Sequence, residues 1–349
     1  MGSVIAAFTA KPTHKKRRLA GLPAMLAALA LLSTGACQGA AAATTPGTVT
    51  TYDLAPGYIN PAGIITGPDG NLWFTELGIP AIGKITTSGQ ITSYPVPSPP
   101  GHGPNVITLG ADGDLWYTNR VADFYTGNEG YIGRITTSGQ PTVVTRVDDP
   151  EGITAGPRGS IWFTTTGPCN GSVGRISASG KVTYFRGHGI DQPHGITAGP
   201  HGSIWFANYA NSTIGRITPG GRITEFTRPG ISEPQNITRG PHGAIWVTSF
   251  GNNMIGRITY RGHVTVYTNP AISRPIGISP GPDRAIWFTN STSDTVGRMT
   301  ATGQMAFYTD PTISDPSIIT PGPDGNMWFT NNTGPSVSRI TTGATRAGT

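Results

Sequence analysis

Residues 193–208 read Pro193-His194-Gly195-Ile196-Thr197-Ala198-Gly199-Pro200-His201-Gly202-Ser203-Ile204-Trp205-Phe206-Ala207-Asn208, followed by Ile214-Gly215-Arg216-Ile217-Thr218 and Ile223-Thr224-Glu225-Phe226. Four short β-type runs rich in Ile, Thr and aromatic residues are separated here by turn chemistry, with Pro fixing φ and Gly free to take φ > 0. The same pattern recurs around Trp73, Trp116, Trp162, Trp205, Trp246, Trp287 and Trp328, which are all seven tryptophans of the chain, spaced 43, 46, 43, 41, 41 and 41. A four-stranded unit of this size cannot bury both faces alone, so the copies must stack, and seven sheets arranged radially close a ring. The fold class is therefore all-β, a seven-bladed β-propeller of four-stranded antiparallel blades.

The seventh repeat stops at Ser338-Arg339-Ile340-Thr341 without its fourth run. Val49-Thr50-Thr51-Tyr52-Asp53-Leu54 has the character of that run and stands before the first repeat, so the N-terminal strand is expected to complete the last blade and remove its exposed edges. Seven copies of one tryptophan argue for packing between blades rather than chemistry. The Gly-Arg pair of the third run (Arg134, Arg175, Arg216, Arg257, Arg298 and Arg339, with Lys84 in the first repeat) is read likewise, as satisfying inter-blade carbonyls or carboxylates.

Gly and Pro make 81 of 349 residues, just below the roughly 25–30% at which disorder becomes the default, and their periodicity assigns them to turns instead. Net charge is +6, but residues 1–43 hold five basic residues and no acid, leaving 19 against 18, or +1, for the remainder. That balance disfavours nucleic acid as a partner. Residues 1–43 read as an export signal: Lys15-Lys16-Arg17-Arg18, an apolar run Leu19–Leu32 and small residues Ala40–Ala43. Two exits compete, cleavage after the Ala run or lipid attachment at Cys37, and the second is the only membrane association expected. Residues 44–349 form the propeller, exported to the extracellular, cell-surface or periplasmic side and expected to be a monomer. After Ala43 the one cysteine is Cys169 in a Gly167-Pro168-Cys169-Asn170-Gly171 turn, so no internal disulfide is available.

The chain resembles the virginiamycin B lyase (streptogramin B lyase) family through Gly-Pro-Asp-Gly-Asn-Leu-Trp-Phe-Thr-Glu (67–76), Ile-Gly-Arg-Ile-Thr (132–136, 214–218, 255–259) and Pro-His-Gly-Ile-Thr (193–197). The resemblance covers essentially residues 46–341. It implies a carbon-oxygen lyase that linearises a cyclic depsipeptide by elimination at its ester, with a His base, Mg²⁺ held by two Glu, and a further Pro-His contacting substrate. It implies a Glu-Pro-His lead-in to one blade and a second Glu after that blade's Trp-Phe-x.

No blade here carries His with both Glu. The fourth offers Gln192, His194 and Asn208, the fifth Glu233, Gln235 and Ser249, the third Asp149, Glu151 and Thr165, the seventh Asp315, Ser317 and Asn331. His194 is the candidate catalytic residue, Glu233 the candidate metal ligand, and Asp149, Glu151, Gln192, Asn208, Gln235 and Asp315 candidate funnel residues, since lead-in positions gather beside the central channel. A solvated polar rim is the alternative reading of the same cluster. His201 and His242 sit at the x of Gly-Pro-x-Gly and are expected to face solvent. Nucleotide-binding loops, zinc cysteines and a Gly-x-Ser-x-Gly elbow are missing from the sequence. Two functions follow: a lyase with an incomplete catalytic set, or a noncatalytic extracytoplasmic propeller binding a small cyclic peptide, glycan or cell-envelope partner through its funnel.

Overall fold

The computed structural model describes residues 45–344 apart from 56, 58–59, 100, 122–128, 168–170, 188 and 228–229; residues 1–43, expected to form an export signal and including Cys37, and Cys169 lie outside the described residues. Seven four-stranded antiparallel sheets are arranged in a ring, six of them running from an innermost to an outermost strand in chain order. Blade four shows the unit: Pro193–Ala198, Ile204–Asn208, Thr213–Ile217 and Ile223–Phe226. In blade seven the order is Pro316–Pro321, Met327–Asn331 and Ser336–Ile340, and the outermost place is taken by Val49–Asp53. Its register, Val49 opposite Ile340 through Asp53 opposite Ser336, realises the expected closure.

Each tryptophan packs into the core of the following blade. Trp73 clusters with Ile107, Leu115 and Tyr117 of blade two, and Trp328 with Ile64, Leu72 and Phe74 of blade one, so the last seam is as apolar as the others. The third-strand glycine is required by the second-strand aromatic beside it: a Cβ on Gly215 would lie 2.0 Å from the Phe206 ring, and one on Gly83 2.1 Å from Phe74. The arginine after it lies over its own blade's tryptophan, as Arg216 does at 5.4 Å from the Trp205 ring. Its carboxylate partner, where there is one, is in the same blade, as in Arg298 to Asp283 at 2.6 Å. Carbonyls of the next blade are reached by Arg216, which donates to Tyr260 O, and Arg339, which donates to Thr87 O.

A second set of contacts holds the ring at its axis. The threonine two residues after the tryptophan, Thr75 in blade one, accepts Gly63 N–H within its own blade and donates to Asn105 O of the next inner strand at 2.6 Å. Thr118 reaches Glu151 O, Thr164 His194 O, Thr248 Ile276 O, Thr289 Ser317 O and Thr330 Ala62 O. Blade four has Ala207 at this position and so lacks the hydroxyl. These carbonyls belong to the residues that face the channel, so the same bonds that close the ring fix the candidate site.

Candidate functional site

Each inner strand carries a Pro, at its first residue except in blade two, where the strand starts at His102 and the Pro is Pro104, and a register irregularity between that Pro and the apolar residue three places on, as between Pro150 and Ile153 and between Pro193 and Ile196. The irregularity re-aims the residue after the Pro. Asn105, Glu151, His194, Gln235, Ile276 and Ser317 accordingly line one cavity of about 270 Å³ on the axis, together with Ala62. The residue before the Pro is left-handed in six blades, with φ of 42° at Asp149, 45° at Gln192 and 46° at Glu233 and Asp315. Its carbonyl accepts the N–H of the residue just past the second strand, as Gln192 O does from Tyr209 N.

The channel mouth contains two polar groupings. In the first, Arg120 pairs with Glu151 through Nη1 and lies 3.8 Å from Asp149 Oδ1 through Nε. Asn105 Nδ2 donates to the other Glu151 oxygen at 3.4 Å, and Thr166 Oγ1 donates to Asp149 Oδ2 at 2.7 Å. In the second, His194 stacks on Tyr209 at 4.5 Å with its Nδ1 3.2 Å from Gln235 Oε1. The Tyr209 hydroxyl donates to Glu233 Oε2 at 3.3 Å.

Burial, reinforced by the Arg120 cation and opposed by Gln235 and Asp149, pulls the His194 pKa down to about 4. Its imidazole is neutral near pH 7. With Gln235 Oε1 as acceptor the proton sits on Nδ1, and Nε2 keeps its lone pair. Burial also lowers the Arg120 pKa, against the pull of Asp149.

The expected site residues therefore separate. Glu151, His194 and Gln235 line the channel, and Asp149 and Glu233 stand one step outside it, each held by a partner. Gln192 is exposed. Asp315 takes a hydrogen bond from Asn332 Nδ2 at 3.3 Å. Asn208 is fully buried and ties its own blade together, accepting Asp191 N–H and donating to Gly189 O and Thr213 Oγ1. Glu76, at the matching place in blade one, is also fully buried, and burial pushes its pKa up to about 8 against the opposing pull of the Ser93 hydroxyl.

Arg120 and Tyr209 were not singled out by the sequence. Both occupy the position four residues after the tryptophan, filled elsewhere by Leu77, Thr166, Phe250, Ser291 and Asn332. The signal was variation at a fixed place in an otherwise regular repeat.

Mg²⁺ takes a near-octahedral set of oxygen ligands, and this donor set does not suit it. Among the described residues no three His, Cys, Asp or Glu side chains gather to hold a metal ion. Asp149 and Glu151 face a guanidinium, and Glu233 faces a phenol.

Ring, blades and channel mouth together define a seven-bladed β-propeller with a polar site on its axis. The virginiamycin B lyase family model matches residues 38–234 and 189–347, and the chain belongs to that family. A virginiamycin B lyase of Nocardia farcinica is 30% identical over 149 residues; the match takes in 42% of this chain and 47% of that relative, so the chain spans about half the length of the curated relative it matches. A streptogramin B lyase structure superposes with a TM-score of 0.74 at 30% identity, covering 85% of this chain and 98% of the other. A catalytically inactive virginiamycin B lyase from Staphylococcus aureus with Quinupristin does so at 0.74 and 31%, covering 84% and 99%. The WD40 propeller domain of Doa1 matches at 0.69 with 12% identity over 85% of this chain and 97% of that one, which shows the shared fold alone.

Proposed function

We propose that this chain is an exported member of the lyase family that holds a peptide-type ligand at the channel mouth and has little or no elimination activity. The observation that carries this reading is Arg120: it occupies Glu151 in the channel lining and Asp149 just outside it, so they serve neither as a cation site nor as a free base. His194 supports it too, because a base with a pKa near 4 lies far from the operating pH at which proton abstraction is efficient. Asn105, Gln235 and Ser317 supply uncharged hydrogen-bonding groups beside apolar Ala62 and Ile276, a surface that complements peptide amides and aliphatic side chains. The cavity is large enough for one side chain of a small cyclic peptide whose ring rests on the rim. A relative crystallised in catalytically inactive form with Quinupristin is consistent with the scaffold retaining a ligand without turnover. Export rests on residues 1–43, cleaved or lipidated at Cys37, and the protein acts as a monomer.

The second reading, residual elimination, is favoured by the Nε2 lone pair of neutral His194. Virginiamycin B with Mg²⁺ decides between them. Chromatography with mass detection is expected to show no ring-opened product of unchanged mass, while calorimetry shows binding that Glu151→Gln or His194→Ala weakens. Robust turnover by the wild type would overturn the binding reading, and turnover untouched by His194→Ala would remove that residue from the chemistry.

A further inference from the structure

Four blades share a device on the face opposite the channel mouth. The residue four before the tryptophan is Asp, and its carboxylate accepts the indole N–H and faces the third-strand cation. Asp283 does so with Trp287 at 3.0 Å and Arg298 at 2.6 Å, Asp324 with Trp328 at 3.0 Å and Arg339 at 3.5 Å. Asp69 and Asp112 serve blades one and two in the same way. Blades three, four and five carry Arg158, His201 and His242 there instead, all exposed and left-handed at φ of 57°, 56° and 58°. The altered turn points a basic side chain outward where a carboxylate was tucked in.

The substitution leaves donors without their acid. Trp162 and Trp205 turn to Ser160 and Ser203 hydroxyls, but blade five has Ala244, and Trp246 Nε1 is buried without a partner among the described residues. Arg175, Arg216 and Arg257 keep their places over the tryptophans. No ion pair to any of the three occurs among the described residues, where the four Asp blades each have one.

Two clefts open beside these residues. One of about 600 Å³ between blades four and five is lined by Arg239, His242, Arg257, Thr259 and Tyr260. Its neighbour of about 460 Å³ between blades three and four is lined by Arg158 and Arg175, and His201 borders both. Residues 152–282 hold 11 Lys and Arg against three Asp and Glu, a net +8; the rest of residues 44–349 hold eight against 15, a net −7. Of the three acids, Asp191 and Glu233 lie at the channel-mouth end and the Glu225 carboxylate abuts Gly189 there; Arg186 and Arg274 lie at that end too, while Arg158, Arg175, Lys181, Arg216, Arg222, Arg239, Arg257 and Arg261 lie toward the opposite face. At the arc's edges Asp112 and Asp114 are engaged by Arg134, and Asp283 by Arg298.

We propose that this arc of blades three to five binds a flexible single-chain polyanion of repeated phosphate groups that carries no nucleobases, of the inorganic polyphosphate type. Successive guanidinium forks on adjoining blades suit repeated tetrahedral oxyanions, which accept bidentate hydrogen bonds and keep their charge across the physiological pH range. A bilayer surface fits less well, since Tyr260 is the only large apolar side chain exposed on this face among the described residues.

End-labelled inorganic polyphosphate, titrated with the full chain and read by fluorescence anisotropy, tests the assignment. Saturable binding that weakens steeply with salt is expected. Arg158→Glu/Arg239→Glu/His242→Asp should weaken it by about tenfold or more, while His194→Ala leaves it unchanged. All three altered residues are exposed, and Arg239→Glu alone, with Arg239→Lys as the charge-keeping control, serves if the triple variant melts early. Failure of the wild type to saturate, equal binding by the charge-reversed variants, or tighter binding to duplex DNA or to vesicles of anionic phospholipid would overturn it.

Discussion

Half-buried His194 and fully buried Glu76 are titratable groups with opposite effects on stability. His194 has a folded pKa near 4 against an ordinary value of 6.5, so the unfolded chain binds the extra proton between them and acid destabilises the fold. Glu76 has a folded pKa near 8 against 4.5, so here the folded state holds the proton and stability falls as pH rises from 4.5 to about 8. The two slopes cancel between 4.5 and 6.5, and the Glu76 fall emerges between about 6.5 and 8. Each unit of that fall is worth up to about 1.4 kcal/mol for one group. Thermal melts across this range should therefore show the wild type losing stability, with Glu76→Gln flattening the loss; an equally steep profile for the variant would show that another group carries it. Arg120 is the second residue-scale test. Its cation depresses His194, so Arg120→Ala should raise the His194 pKa from about 4, followed as the imidazole Cε1–H shift by NMR; no rise would mean that burial alone sets it.

At the level of strands, the threonine hydroxyls couple neighbouring blades through one side chain. Thr289 accepts Gly277 N–H at 2.8 Å and donates to Ser317 O at 2.5 Å, all three groups being buried. Thr289→Val keeps the shape and removes both bonds, so a loss of about 1–3 kcal/mol in denaturant unfolding is expected. A neutral result would mean that the inter-blade apolar clusters alone hold the seam. The blade four to blade five seam has Ala207 in place of this hydroxyl, and the basic cleft opens at the same seam on the opposite face. Turn chemistry divides the blades as well. Where the Gly-Pro-x-Gly turn carries Asp, its side chain closes back on the tryptophan; where it carries Arg or His, the residue is left-handed and exposed.

The ring as a whole depends on the strand Val49–Asp53, which joins the chain's two ends without a covalent link. Deleting residues 44–55 should lower the melting temperature markedly, because it uncovers the edge of Ser336–Ile340 and removes the Tyr52 ring that stacks on Trp328 at 5.6 Å. An unchanged melt would refute closure as a source of stability. The tryptophan period, the turn residues and the missing fourth run were enough to determine blade number, strand order and closure from sequence, because repeated local patterns admit one way of burying every apolar face. The channel-facing positions were legible for the same reason, being the residues after each inner-strand Pro. What each side chain does there was decided only by the tertiary structure. Glu151 is neutralised by Arg120 from the neighbouring blade, His194 is depressed by burial against Tyr209, and Asn208 turns into the blade rather than the channel. These outcomes depend on distances between residues tens of positions apart, which a repeat pattern does not encode and which electrostatics and burial resolve only once the blades are packed.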